Sequence, residues 1–149
     1  MGKFILMVIM KVEKHFNIKT NYSFEAQLYR ATVKLGDAES NNVEFNTFDI
    51  SRYLISDPHN TFLVSVVGDS MINENIFEGD ILVVNRKEKP VDGKVVIAAL
   101  NGEMAVKTYR VIDGLVYLYS ANKSFLPIEI KPFWEFEIQG VVKHVIRNF

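Results

Sequence analysis

Cysteine is absent from the 149-residue sequence, and this absence limits the chemistry open to the protein. Disulfide bonds, thiolate zinc sites and cysteine nucleophiles are all excluded. The formal net charge is −1, so the chain as a whole exerts no strong attraction on DNA or on an anionic membrane. We therefore expect neither sequence-specific DNA binding nor membrane association, and we predict no metal site and no cofactor.

Long hydrophobic runs are also missing. The apolar run nearest the N terminus, residues 4–10, has seven residues between two lysines. A membrane-spanning helix needs about 20 apolar residues, and no small-residue cleavage site of a signal peptide follows this run. We interpret the run as a strand or a docking segment, and we predict a cytoplasmic protein.

From Thr61 onward, short apolar runs alternate with turn signals, a pattern typical of an all-β barrel or sandwich. Asn101-Gly102 and Asp113-Gly114 separate neighbouring runs and strongly favour two-residue hairpins. We predict a mainly β fold with strands in TFLVSVV, DILVVN, KVVIAAL, EMAVKTYRV, LVYLYS, PIEI and FEIQGVVKHVIRNF. Helix is expected only as short turns in NTFDISRYLIS and SMINENIF.

Ser70 lies in the turn GDSM, where a strand-like run ends. The ordinary interpretation is a turn residue, because Gly, Asp and Ser all favour turns. A serine hydroxyl becomes a useful nucleophile only when a neighbouring group takes its proton. The three histidines, His15, His59 and His144, are interpreted as surface or core residues, and no two of them have metal-ligand spacing.

Lys107, in EMAVKTYRV, is the other candidate for that proton acceptor. On a strand its side chain shares a face with Ala105 and Tyr109. Burial among apolar neighbours lowers the pKa of a lysine from its usual value of about 10.4. A lysine that packs its aliphatic stem and extends its amine to water is the alternative. The strand pattern alone leaves both interpretations open.

Four segments taken together, GDSM, EGDILVV, DGKVVIAALNGEMAVK and IQGVVKHVI, resemble the LexA/UmuD family of self-cleaving Ser–Lys proteins. The likeness covers roughly residues 57–147. It implies a domain of short, strongly bent strands, with Ser70 as nucleophile and Lys107 as general base. It also implies that the backbone N–H groups of Ser70 and Asp69 hold the oxyanion. Three further residues match the motif and are interpreted as packing and turn residues: Met71, Gly79 and Asp80.

The same resemblance implies that the chain cuts itself. The matching place is TVKLGDAES, so Leu35-Gly36 is the expected scissile bond, with Gly36 lying 34 residues before Ser70. We expect residues 1–35 to form a flexible N-terminal arm and residues 36–149 to form the peptidase domain. The sequence departs from the family at Leu35, where a small residue is usual, and in DAESNN, where a Pro-rich stretch is common.

About 35 residues precede the expected cut, without a convincing pair of helices, and this favours the UmuD-like branch over the repressors. The resemblance then implies a homodimer, a RecA–single-stranded-DNA filament as co-protease and a UmuC-like translesion polymerase as partner in SOS mutagenesis. Two alternatives stay open. One is a signal-peptidase-like Ser–Lys protease acting on other chains, and the other is a non-cleaving β-domain interaction module with a vestigial dyad.

Overall fold

The computed structural model describes residues 11–17, 25–30 and 44–149, with side chains from residue 48 onward. These residues divide into two compact units. The larger contains residues 11–17 and 57–149, and the smaller contains residues 25–30 and 44–56. Strands dominate the described residues, with one α-helix of five residues. The predicted all-β class is confirmed.

The smaller unit is an antiparallel hairpin followed by a helical turn. Strands β2 (Glu25–Arg30) and β3 (Glu44–Asp49) pair, and helix α1 (Ile50–Leu54) follows directly. The Asp49 carboxylate caps α1 by accepting a 2.9 Å hydrogen bond from the backbone N–H of Arg52. The helical turn predicted in NTFDISRYLIS is therefore only partly correct, because residues 46–49 belong to β3.

The larger unit is an antiparallel sheet with strand order β1-β4-β5-β10-β6-β7-β8-β9. A further pairing between β1 and β7 closes its first six strands into a barrel. The strands are β1 (Lys11–Asn17), β4 (Thr61–Val67), β5 (Ile81–Asn85), β6 (Val95–Leu100), β7 (Glu103–Ile112), β8 (Leu115–Tyr119), β9 (Ile128–Glu129) and β10 (Phe136–Ile146). Two short 3-10 helices, Pro58–Asn60 and Ile72–Glu74, lie in the connections, and the second confirms the helical turn predicted in SMINENIF.

Both predicted hairpins are present, and their turns fix the register of β7. The φ angles are 49° and 83° at Asn101 and Gly102, and 50° and 77° at Asp113 and Gly114. Two successive positive φ angles define the type I′ turn, whose twist matches that of paired strands. A two-residue loop leaves one register available, and β6–β7 pairing places Val96 opposite Lys107.

Two apolar clusters pack on opposite faces of the sheet. The first comprises Phe62, Val64, Val66, Met71, Ile76, Leu82, Val84, Ile97 and Val106. The second comprises Val96, Ala98, Leu100, Leu118, Ile128 and Val141, with Tyr109 and Trp134 packed against it. Because the middle of β7 lies between them, four successive residues are buried whichever face they point to: Ala105, Val106, Lys107 and Thr108.

Several predictions concern residues that the structure does not describe. The apolar run 4–10 and the expected Leu35-Gly36 bond lie outside the described residues, so both stay predictions. Strand β1 falls within the predicted arm, residues 1–35, and pairs with β4. Across residues 11–17, 25–30 and 44–149, no helix combines the length and the apolar character needed to span a membrane.

Candidate active site

Ser70 lies in a tight turn at the end of β4. The turn begins at Gly68, whose φ of 99° is a conformation that residues with a side chain rarely adopt. The backbone N–H of Gly68 donates to Glu78 Oε2 at 3.0 Å, and this bond holds the start of the turn. Ser70 itself is only 1% exposed, so its hydroxyl lies beneath the protein surface.

The residues after Ser70 fix the turn through a buried side chain and a 3-10 helix. Met71 is fully buried in the first apolar cluster, which confirms its predicted packing role. The 3-10 helix that follows closes with a 3.0 Å bond from the N–H of Glu74 to the carbonyl of Met71. Ser70 is thus held between a glycine turn and a buried methionine, and a serine so fixed loses little freedom on meeting a substrate.

Lys107 is buried in the middle of β7, and its side chain is 1% exposed. Val96, a member of the second apolar cluster, lies opposite it on β6. Burial lowers the pKa of Lys107 from 10.5 to about 8, because desolvation disfavours the ammonium form. The amine nitrogen donates a hydrogen bond to Ser120 Oγ. The alternative of a lysine that extends its amine to water does not fit these observations.

A short segment after β8 connects the two predicted site residues. Ser120 bonds the Lys107 amine, and the next residue, Ala121, contacts the Ser70 turn twice. The N–H of Ala121 lies 3.4 Å from Met71 Sδ, and its carbonyl accepts a 2.8 Å bond from the N–H of Asn73. Asn122 Nδ2 donates to the carbonyl of Asp69 at 3.0 Å.

Strand β1 provides a second connection. Its first residue, Lys11, pairs with Val67 on β4 and with Ala105 on β7. Neighbouring strands lie about 4.8 Å apart, so these two strands are about 10 Å apart at this point. Ser70 follows Val67 by three residues and Lys107 follows Ala105 by two. Backbone pairing therefore brings the turn and the lysine to the same end of the barrel.

A pocket of about 480 Å³ opens beside the Lys107 amine. Lys107 and Ser120 are among the residues that line it. Most of the other lining residues are apolar and come from the segment between β8 and β10, chiefly Phe125, Leu126, Pro127, Ile128 and Trp134. Leu126, at 86% exposed, is open to solvent. An extended peptide could lay apolar side chains here, next to the amine.

Gly79 and Asp80, the other residues that match the motif, lie at the second Gly-Asp turn. Gly79 has a φ of 87°, as a turn glycine requires. Asp80 also has a role that the sequence analysis missed. Its carboxylate accepts two 2.6 Å bonds from Arg147 and a 2.8 Å bond from the N–H of Phe77. Hydrogen bonding to Arg147 lowers the pKa of Asp80 below its usual 3.8.

His59 and His144 fit their interpretation as surface or core residues. His59 is exposed in the 3-10 helix Pro58–Asn60, and His144 is half-buried on β10. The side chain of His15, on β1, is outside the described part of the chain. Where side chains are described, from residue 48 onward, no three acidic or histidine residues converge as metal ligands.

Ser120 is the site residue that the sequence analysis did not identify, although a signal was present. In a two-residue hairpin loop at Asp113-Gly114, Ile112 pairs with Leu115, and each step outward adds one pair. The same count places Ser120 opposite Lys107. The hairpin dipeptide and simple counting were therefore sufficient to predict this contact.

Comparison with known proteins agrees with this architecture. A family model described as Peptidase S24-like matches residues 27–143, well over half of the chain. The chain belongs to the Peptidase S24-like family, the LexA/UmuD family. The predicted family is thus confirmed, and the family is one of self-cleaving proteases.

Several curated relatives are LexA repressors. The chain is 38% identical over 92 residues to a LexA repressor of Shewanella sp. (strain MR-7), covering 61% of this chain and 45% of the relative. It is 34% identical over 90 residues to the LexA repressor of Stenotrophomonas maltophilia, covering 60% and 43%. For LexA repressor 2 of Pseudomonas putida the identity is 35% over 87 residues, covering 58% and 43%. The chain spans about half the length of these relatives.

Proposed function

We propose that this protein is a self-cleaving serine peptidase of the UmuD type, with Ser70 as nucleophile and Lys107 as general base. The observation that carries the proposal is the buried Lys107 amine, whose pKa falls to about 8, held against the segment that also contacts the Ser70 turn. A neutral amine can accept a proton, and a fixed hydroxyl nearby can supply one.

The proposed reaction begins when Lys107 Nζ takes the proton of Ser70 Oγ, and Oγ attacks the carbonyl carbon of Leu35. The N–H groups of Asp69 and Ser70 stabilise the oxyanion that forms, and each such donor contributes a few kcal/mol to lowering a barrier. Lys107 then gives its proton to the amine of Gly36 as the peptide bond breaks. Water, activated by the neutral Lys107, hydrolyses the resulting ester and frees Ser70.

The pocket beside Lys107 supports Leu35-Gly36 as the bond that is cut. A small residue is usual before the cut in this family, and a closed pocket would reject a branched side chain. Here the pocket is open and much of its lining is apolar, with Phe125 and Trp134 among the lining residues. Such a lining can accept leucine, and the glycine after it lets the backbone approach closely.

The biological role is proposed from the family and from the described residues before β4. We assign the protein to SOS mutagenesis, acting in the cytoplasm as a homodimer, with a RecA filament stimulating the cut and a UmuC-like polymerase as partner. The described residues among 11–56 form strands and a single five-residue helix. Within these described residues, no pair of packed helices forms a helix-turn-helix.

The test is incubation of the full chain with activated RecA filament, or at alkaline pH, followed by N-terminal sequencing of the fragments. A fragment that begins at Gly36 is expected, and Ser70→Ala is expected to abolish it. Ser65→Ala, on the strand that leads into the turn, is the matched control and should cut normally.

Two results would redirect the proposal. A wild-type chain that stays at 17.1 kDa under every condition would favour the non-cleaving interaction module. Cutting of an added signal-bearing precursor, with the chain itself left intact, would favour the signal-peptidase-like alternative. Continued self-cleavage by Ser70→Ala would exclude the proposed nucleophile.

A further inference from the structure

Ser120 lies where the hairpin register directs it toward Lys107. Strands β7 and β8 pair from Ile112 opposite Leu115 to Thr108 opposite Tyr119. One further step in this register sets Ser120 opposite Lys107. Side chains of directly opposed residues lie on the same face of a sheet, with Cβ atoms about 5 Å apart. The strand register therefore determines the contact between Ser120 and Lys107, which does not depend on the rotamer of an exposed side chain.

The contact itself is a hydrogen bond from Lys107 Nζ to Ser120 Oγ. Both side chains line the pocket beside the candidate site. The neighbouring Ala121 is fixed through its N–H to Met71 Sδ and through its carbonyl to the N–H of Asn73. The Ser120 hydroxyl is therefore attached to the same framework that holds the Ser70 turn.

We propose that Ser120 is a positioning residue, whose hydroxyl oxygen holds one N–H of the Lys107 amine and so directs the nitrogen lone pair toward Ser70. The inference rests on the proposed Ser70–Lys107 peptidase. It adds a third side chain to that site, one that forms no bond to the substrate and transfers no proton.

The chemistry of a primary amine explains why such a residue is needed. A neutral lysine amine has two N–H donors and one lone pair on a long, rotatable stem. When Ser120 Oγ accepts from one N–H, rotation of the amine is restricted and the lone pair has a defined direction. The same acceptor also stabilises the ammonium that forms when Lys107 takes the proton of Ser70, because a hydrogen bond to the charged form favours that form.

The other groups around Lys107 do not mask the effect of Ser120 on the pKa of its amine. Glu129 and Lys131 are the charged residues that share its pocket, and they pair with each other at 2.9 Å. Val96 faces Lys107 from β6, and Tyr109 shares its face on β7. Loss of the Ser120 oxygen removes an acceptor from the ammonium, so the pKa of Lys107 should fall further.

The first test is the pH dependence of self-cleavage in the full chain. Ser120→Ala is expected to lower the plateau rate by about 10- to 100-fold, as misplacement of a catalytic group does. Its midpoint should also move about one pH unit lower, because the ammonium form of Lys107 loses a hydrogen-bond acceptor. Ser120→Thr keeps the hydroxyl and should restore both the rate and the midpoint.

Ser124→Ala is the matched control, because Ser124 lines the same pocket while its backbone N–H bonds Asn122 Oδ1 at 3.0 Å. The midpoint of this variant should stay at the wild-type value. A Ser120→Ala chain with the wild-type midpoint and plateau would overturn the proposal. A purely structural role would lower the melting temperature in Ser120→Ala and leave the midpoint where it was.

A second readout does not depend on cleavage. In a Ser70→Ala background, which cannot cut if the proposed function is correct, NMR titration of the Lys107 ε-methylene reports its pKa directly. Adding Ser120→Ala should lower that pKa by about one unit, and adding Ser120→Thr should not. An unchanged pKa would refute the role of Ser120, whereas failure of the wild-type chain to cut refutes the proposed function instead.

Discussion

Lys107 and Asp80 are both charged residue types, both are 1% exposed, and the fold treats them in opposite ways. Asp80 accepts bonds from Arg147 and from a backbone N–H, and its pKa falls below 3.8, so it stays ionised. Lys107 bonds a neutral hydroxyl, and its pKa falls to about 8, so it gives up its charge readily. The same low solvent exposure therefore accompanies an ionised carboxylate in an ion pair at one place and a lysine with a lowered pKa at the other.

The charge of a buried ionisable group therefore depends on its hydrogen-bond and charge partners as well as on desolvation. A group supplied with opposite charge keeps its own charge, and removal of its partner leaves an uncompensated charge. A group without such compensation opposes folding while it is charged. The fall of the Lys107 pKa from 10.5 to about 8 corresponds to about 3 kcal/mol, at about 1.4 kcal/mol per pKa unit. This cost applies while the Lys107 amine carries its charge.

Loss of the Lys107 amine should reduce self-cleavage strongly. Lys107→Met keeps the length and apolar stem of the side chain and removes the proton acceptor. Self-cleavage should fall by about 10³-fold or more, within the range for loss of a general base. Fragment formation followed by mass spectrometry measures it. Lys143→Met, which removes an exposed amine paired with Glu88, is the control and should cut at the wild-type rate.

The same Lys107→Met variant should also change how stability depends on pH. Because the folded pKa lies below the unfolded one, the unfolded chain binds more protons between pH 8 and 10.5, and wild-type stability should rise with pH in that window. Relative to Lys107→Met, the rise should approach about 3 kcal/mol. Urea denaturation at several pH values measures the difference. Parallel curves for the two chains would contradict the assigned cost of burying Lys107.

Replacement of Asp80 should lower stability, whereas replacement of Lys107 removes a cost of burial. Asp80→Asn leaves the Arg147 guanidinium without its carboxylate and should lower the free energy of unfolding by about 2–3 kcal/mol at neutral pH. The loss is at the lower end for a buried pair because the Arg147 side chain is 40% exposed. Asp92→Asn breaks the exposed pair with Arg110 and is expected to cost less than about 1 kcal/mol.

The pH dependence at Asp80 also runs the other way from that of Lys107. Its folded pKa is depressed, so its contribution is present above the usual value of 3.8 and is lost as pH falls through the lower, folded value. Wild type and Asp80→Asn should therefore converge in stability under strongly acidic conditions. Equal losses for Asp80→Asn and Asp92→Asn at neutral pH would show that burial does not distinguish the two pairs.

Much of the larger unit could be predicted from the sequence, because short sequence motifs determine its hairpins and their registers. The dipeptides Asn101-Gly102 and Asp113-Gly114 mark two hairpins whose registers follow from loop length alone. The burial of Lys107 could be suspected from apolar neighbours on its strand. The structure adds that both faces of β7 are covered, so the burial pattern there does not alternate.

The remainder depends on closure of the barrel, which no local pattern contains. Asp80 and Arg147 are 67 positions apart in the sequence. The sequence alone indicates only a turn residue at Asp80, because the contact with Arg147 depends on the pairing of β10 with β5. Contact between the Ser70 turn and Ala121 likewise depends on how two loops meet at one end of the barrel. Leu35 carries a cleavage prediction from resemblance alone, because its position is outside the described residues.

The most direct test of the account is the rate of self-cleavage of the full chain as a function of pH. If a buried, neutral Lys107 activates Ser70, the rate should rise with a midpoint near pH 8 and reach a plateau before pH 10.5. A rate that does not change with pH, or one that keeps rising through pH 10.5, would contradict this account.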